Sequence, residues 1–560
     1  MMHSRSDTLQ EESPSITLPP WSYWTLPFVL VLAFRLPYFG LTVLNSDEGL
    51  YAAVARVMQD GGLPYRDAWD HAAPGIFYVY RFLFGIFGPW SMGAVRLAAL
   101  VMHFASGMIV GQAVRKKYGS LTGLVTSLLV IAAIGGYLPA DSIAGLTETF
   151  LLPFFLTAVT LTLLWVDTGR RFSLWTGLAI AVATWFKIHA LLIFIIVLVG
   201  AVIARRMTGE KSNSDISYPV KILAWAALGY LLLVLPLWIA GGFYDYFRIY
   251  IGYNIFYWQV GSYNLIFWEG LLRTAWQWGF PQFLLLILAV TGLIALFNSS
   301  LSHERARGVF LLIATSAAIL TAVTGARLFG HYFIPSAALI ALTAGDGVNY
   351  LMEKMKAIEV KPLSAVSFFG AGILLVGLLQ PLIYFHGDAY RIRMEIAFHS
   401  GYMRIKFPAL TEEIRQVVPA DKKIWVWGFA PEIYTLAQRD CSSRFINANY
   451  LVGLVPWINA APDIDTTPYI IKGAWSLLQE DLSSSPPAAI IDAAEANYQF
   501  WGKYPMRGNP GLMGYVERNY VDAGTYDGFR LYVRKDIGRE RYPANEPGDT
   551  PVDMTRPGGD

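Results

Sequence analysis

Cysteine is nearly absent. Cys441 is the one thiol in 560 residues, so neither an intrachain disulfide nor a thiolate metal cluster can form. Charge is scarce too: Asp, Glu, Lys and Arg make up 15% of the chain, against roughly 25% in soluble domains. The net charge is +2 and no basic stripe lies outside short loops, which excludes nucleic acid as a partner. The N-terminal tail holds Arg5 among Asp7, Glu11 and Glu12 and has no small-residue cleavage motif. The first apolar segment therefore reads as an uncleaved anchor, not a signal peptide. Residues 386–560 contain no run long enough to span a bilayer. No glycine-rich loop follows the strands expected there, which excludes a phosphate-loop nucleotide site.

What the chain does have is apolar and aromatic: 55% hydrophobic residues, 15% aromatic residues and a mean hydropathy of +0.42. Apolar runs of spanning length recur through residues 21–385. The expected fold is mainly α: a polytopic membrane helical bundle of about eleven spans with a C-terminal α/β domain. The spans are expected near 22–44, 92–114, 119–138, 146–166, 173–186, 190–204, 219–240, 279–298, 308–326, 331–350 and 363–385. Residues 1–21 form a tail, 22–385 the membrane domain and 386–541 the soluble domain. Residues 542–560, rich in Pro, Gly and Asp, are expected to be disordered. Within the soluble domain, 423–429, 488–492 and 529–533 read as strands, and 431–439 and 474–482 as helices.

The basic loops then fall on one side: Arg115-Lys116-Lys117, Arg170-Arg171, Arg205-Arg206 with Lys211, Arg305 and Arg307, and Lys354, Lys356 and Lys361. Positive loops stay in the cytoplasm. The N-terminus is thus inside, and residues 45–91, 241–278 and the C-terminal domain are extracytoplasmic. Residues 74–90 are apolar but carry Tyr78, Tyr80 and Arg81. Counting them as a span would reverse the later alternation, so they are expected to form an amphipathic surface helix, with 48–60 as a second. The run 173–204 is too long for one ordinary span and is expected to turn at Lys187 and His189.

The outer side collects acids and cations. Asp47 and Glu48 follow the first span, and Tyr65-Arg66-Asp67 and Asp70-His71 follow in the same loop. Two adjacent carboxylates at a membrane boundary either cap the next helix or serve chemistry. Asp141 in the next outer loop is either a solvated acid or part of the same set, and Glu148 opens the following span. Lys187 interrupts an apolar stretch, where a cation either snorkels to water or holds an anion. Arg327, His331 and Tyr332 add cations and donors at another outer turn, unless Arg327 only marks a span end. The loop 241–278, with Tyr244, Tyr250, Tyr257 and Trp268, is either an interfacial aromatic belt or a lid.

A substrate with a long apolar tail, a phosphate and a leaving sugar suits these parts. The tail would lie along the spans, cations would hold the departing phosphate, and a carboxylate would take the acceptor proton. The stretches Asp47-Glu48-Gly49-Leu50-Tyr51, Gly62-Leu63-Pro64-Tyr65-Arg66-Asp67, Pro74-Gly75, Phe87-Gly88 and Val95-Arg96-Leu97 resemble the start of GT-C glycosyltransferases. The pattern is similar to that of protein O-mannosyltransferases and lipid A aminoarabinose transferases. Weaker echoes are Thr147-Glu148-Thr149-Phe150, Lys187 and His331-Tyr332-Phe333.

The resemblance implies a multi-pass protein of a bacterial or archaeal plasma membrane. It implies a polyprenyl-phosphate sugar donor, a glycan, lipid or protein acceptor, and contact with membrane lipids. It implies an inverting transfer with Asp47 as base, Glu48 assisting or joining Asp47 on a divalent metal such as Mg or Mn, and Asp141 as a second acid. Tyr65, Arg66, Asp67, His71, Lys187, His189, Arg327, His331 and Tyr332 form the expected substrate-binding set. The chain departs from the family where Ala72-Ala73 precede a single proline, Pro74, in place of a lysine and two prolines. His71 or Arg66 then stands in for that lysine. Two other classes fit the composition: a lipid-linked-sugar flippase, which would need inverted repeats and broken midplane helices, and a non-catalytic receptor or scaffold.

Overall fold

The computed structural model describes residues 19–136, 139–209, 214–261, 282–324, 328–358, 367–373, 406–455 and 458–542, with positions 271, 272, 274–279, 360, 364 and 375. Its first part is a helical bundle: α1 (Ser22–Arg35), α2 (Ser46–Gln59), α3 (Pro74–Phe87), α4 (Met92–Tyr118), α5 (Ser120–Gly135), α6 (Thr147–Thr168), α7 (Ser173–Phe186), α8 (His189–Met207), α9 (Ser214–Leu237), α10 (Phe283–Phe297), α11 (Ser302–Val323) and α12 (Ile334–Ala357). Among the described residues five helices are long and apolar enough to cross a membrane, and α1, α3, α5, α7 and α10 are shorter apolar helices. Most of the expected span 363–385 lies outside the described residues.

Local chemistry sets the helix ends. Pro74 opens α3, where its missing N–H costs nothing. Gly88 and Gly119, at φ 95° and 93°, end α3 and α4 in a backbone region open to glycine. Lys187 adopts an extended backbone and breaks the long apolar run 173–204 between α7 and α8. The two arms then pack on different partners, α7 on α9 and α8 on α11. Helices α10 and α12 cross where Gly292 and Gly347 remove side chains, and a Cβ on Gly347 would collide with the Leu288 carbonyl. Helix α9 runs on through π-helical turns at Trp238–Gly242 and Tyr246–Gly252 into the aromatic segment ending at Gly261.

Helix α3 buries one side and leaves a largely apolar side uncovered. Ile76, Phe77, Tyr80 and Phe84 are buried, while Phe82, Ile86 and Phe87 are exposed. Helix α2 differs from expectation. It is no surface helix: Leu50, Ala52, Ala53, Val54 and Ala55 are almost fully buried. It lies between α3 and the C-terminal domain, so both faces find apolar partners.

The C-terminal part contributes α13 (Pro408–Val417), β1 (Ile424–Trp427), α14 (Glu432–Ala437), α15 (Ala474–Ser484), β2 (Ala489–Asp492), α16 (Pro510–Asn519), β3 (Tyr520–Tyr526) and β4 (Phe529–Arg534). The four-stranded sheet has the order β1-β2-β4-β3. β1 and β2 are parallel and fully buried, and β2–β4 and β4–β3 are antiparallel. The expected helices and strands are present. The additional strand is β3, whose Tyr-Val-Asp-Ala-Gly-Thr-Tyr sequence carries a bulge at Asp522 to Gly524.

Candidate active site

Ionic groups collect at both ends of the bundle. At one end Arg307 pairs with Asp167 at 2.5 Å and Asp346 at 2.7 Å, and Lys117 pairs with Glu304 at 3.0 Å. The opposite end, where α2, α6 and α8 begin, gathers Asp47, Glu48, Asp141, Glu148, Lys187 and His331.

Asn45 is the N-cap of α2, and its side chain accepts the Asp47 N–H at 2.9 Å. Asp47 is therefore not needed as the cap. Among the described residues its carboxylate has no hydrogen-bond or ion-pair partner, although Glu148, Glu432, Lys187 and His331 act on it electrostatically. Burial pushes its pKa up to about 6, with the two glutamates adding to the rise and His331 and Lys187 opposing it.

The neighbouring acids are all engaged. Glu48 is fully buried, and Arg96 grips both its oxygens. It also accepts the N–H of Leu44 at 2.7 Å and of Gly145 at 2.6 Å. Lys187 bonds Glu148, whose other oxygen accepts the Thr147 hydroxyl at 2.8 Å. The Lys187 ammonium sits 3.5 Å from the centre of the Tyr332 ring. His331 Nδ1 lies 2.9 Å from Asp141 Oδ1.

A cleft opens beside this cluster. Glu148, Lys187, His189 and Tyr332 form its polar end, and Leu151, Phe155, Ile193, Ala318 and Ala322 form an apolar wall. This shape suits a charged head on an apolar chain.

The 60–73 loop is held differently. Tyr65 is buried at φ 71°, donates its hydroxyl to the Ala72 carbonyl at 2.8 Å and stacks on Tyr250. Arg66 pairs with Asp67 at 2.7 Å, and Asp67 accepts the Leu63 N–H at 2.8 Å. These contacts shape the loop. Asp70 is buried and accepts the Ala72 N–H at 2.6 Å, and burial pushes its pKa up to about 7. His71 lies 3.8 Å from Asp70 and packs on Tyr257, with ring centres 4.5 Å apart. Arg327 lies outside the described residues.

The expected sharing of one metal by Asp47 and Glu48 does not fit these contacts. Both Glu48 oxygens face Arg96 and backbone N–H donors, and a cation beside Arg96 would be repelled. Among the described residues no group of three or more His, Cys, Asp or Glu side chains is placed to hold a metal. Glu48 is a buried brace that ties α2 to α4 and to the Gly145 turn.

Two buried arginines outside the expected site set complete the frame. Arg96 holds Glu48. Arg35 donates to the carbonyls of Ser142 and Ile143, each at 3.0 Å, and to His103 at 3.1 Å. Both interrupt apolar runs, the same signal that singles out Lys187. Ser46, Glu432 and Tyr498 also meet here, and no local pattern announces that they do.

No family model and no curated sequence matches the chain. Solved structures do. ArnT from Cupriavidus metallidurans bound to undecaprenyl phosphate superposes with a TM-score of 0.55 at 13% identity, over 91% of this chain and 98% of that one. Its apo state gives 0.57 at 12% identity, over 92% and 98%. The Archaeoglobus fulgidus oligosaccharyltransferase tethered to an acceptor peptide gives 0.52 at 12% identity, over 92% of this chain and 74% of that one. The complex of Archaeoglobus fulgidus AglB with an inhibitory peptide and a dolichol-phosphate gives 0.50 at 13% identity, over 94% and 75%. Superposed over nine-tenths of its length, the chain has the GT-C fold of these membrane transferases.

Proposed function

We propose that this protein is a membrane glycosyltransferase that moves a sugar from a polyprenyl-phosphate donor to an acceptor hydroxyl with inversion. The observation that carries this reading is the state of Asp47, the acid of the cluster left unpartnered among the described residues, with its pKa raised to about 6. A general base works best when its pKa lies near the operating pH and its lone pairs are free.

The step balances with the groups present. The acceptor O–H gives its proton to the Asp47 carboxylate while its oxygen attacks the anomeric carbon. The bond from that carbon to the phosphate oxygen breaks, and the polyprenyl phosphate leaves with the electron pair. Lys187 and His331 then face the growing negative charge. The isoprenoid chain runs along the apolar wall formed by Leu151, Phe155 and Ile193. The chain's likeness to proteins solved with undecaprenyl phosphate and dolichol-phosphate supports this donor class. The basic residues Arg115, Lys116 and Lys117 end α4 away from the site, which supports an extracytoplasmic site by the positive-inside rule.

The test is direct. Purified protein is incubated with polyprenyl-phosphate sugars, and transfer is followed together with release of polyprenyl phosphate. Matched appearance of both products is expected. Movement of the lipid-linked sugar across vesicles with no transfer would instead favour a transporter. Lys187→Met is expected to raise the donor KM about tenfold or more, because a charge-assisted phosphate contact is lost. Lys187→Arg should retain most of the affinity. Since Lys187 also neutralises buried Glu148, the double variant Lys187→Met/Glu148→Gln separates folding from binding. It should recover expression but not donor affinity.

A further inference from the structure

The soluble domain touches the first turn of α2 through an unusual group. Glu432 is fully buried, and its Oε1 accepts from Ser46 Oγ at 3.0 Å, from Lys406 Nζ at 3.3 Å and from the Tyr498 hydroxyl. Its Oε2 has no partner among the described residues. A buried carboxylate oxygen without a donor is costly and calls for a reason.

The contact is built closely. A Cβ on Gly49 would lie 2.5 Å from the Glu432 Cα, so only glycine lets α14 approach α2 this near. Gln499 Nε2 lies 3.3 Å from Ser46 Oγ. Around it Asn497, Gln499 and Phe500 hold φ values of 45°, 53° and 68°, a left-handed region that non-glycine residues seldom occupy. Such strain collects where the surrounding structure demands one geometry. Ser46 directly precedes Asp47.

We infer that Glu432 is a positioning residue through which the soluble domain fixes the first turn of α2 and sets the electrostatic field at the Asp47 carboxylate. This rests on the reading of Asp47 as the base. Other charges also face Asp47: Glu148 from α6, Lys187 between α7 and α8, and His331 before α12. Asp70 of the 60–73 loop and the hydroxyls of Tyr51 and Tyr80 couple to it as well. Glu432 is the contribution made by the soluble domain, and it adds to the upward shift at Asp47.

The experiment is the pH profile of kcat/KM for sugar transfer, whose acidic limb reports the base in the free enzyme. Glu432→Gln removes the negative charge and leaves Lys406 uncompensated. Both changes favour ionised Asp47, so the limb is expected to move to lower pH by about half a unit or more. Lys406→Gln has the opposite sign and should move the limb to higher pH. Tyr498→Phe removes a donor but no charge and should leave the limb in place. Limbs that coincide in all variants, or that move the same way in Glu432→Gln and Lys406→Gln, overturn the inference. Should Glu432→Gln fail to fold, the Lys406→Gln and Tyr498→Phe pair still decides it. Absence of transfer by the wild-type protein, or full activity of Asp47→Asn, would instead remove the underlying reading of the site.

Discussion

Asp47→Asn is expected to lose the proposed sugar transfer by roughly a hundred- to ten-thousandfold, the range for removal of a positioned general base. The substitution is nearly isosteric and takes away only the proton-accepting charge. Asp47 makes no ion pair or side-chain hydrogen bond among the described residues, and the α2 cap belongs to Asn45, so expression and thermal stability should stay close to wild type. The wild-type rate should rise with pH through about 6, where the carboxyl loses its proton. The sign follows from the role: only the ionised form accepts the acceptor proton, so a raised pKa moves the active range upward. Transfer at saturating donor by both proteins checks the loss, and the wild-type pH profile of kcat/KM from about pH 4.5 to 8.5, which reports the free enzyme, checks the pKa. An Asn variant with wild-type turnover would take the base assignment away from Asp47.

The second large effect falls on stability. Arg96→Met leaves Glu48 charged, fully buried and without its cation. Breaking a buried pair from one side costs about 3–5 kcal/mol, because desolvation of the remaining ion is no longer offset. The N–H groups of Leu44 and Gly145 still donate to Glu48 and soften the loss without neutralising the charge. The single variant should therefore unfold at clearly lower temperature in detergent. Arg96→Met/Glu48→Gln removes the stranded charge and should recover much of the loss. A single variant that melts with wild type would show that Glu48 is not the brace described above.

Much of the bundle was legible in the sequence because a bilayer imposes one strong rule on every spanning segment. Apolar runs predicted helices that the structure places within a few residues, as at α4, α6, α7 and α8. The extended backbone at Lys187 falls where a cation breaks the run. The reading of α2 as a surface helix failed because its outer face is covered by α14, nearly four hundred residues later in the chain. Glu48 was read with Asp47 as a chemical pair. Adjacent residues on a helix point about 100° apart, so one carboxylate turned into the protein toward Arg96 and the other stayed free.

The chain by itself pointed to a bundle of apolar membrane helices, a more polar α/β part after it, and acids and cations expected to gather at one end of that bundle. Hydropathy, charge asymmetry and periodicity are properties of short windows, so they survive without knowledge of contacts. Tertiary structure alone decided which acid is unpartnered among the described residues and which are neutralised. It also brought Glu432 against Ser46, beside Asp47. Whether a carboxylate is a base or a brace depends on the partner that reaches it through space, and that partner lies 48 positions away for Glu48 and 39 for Glu148.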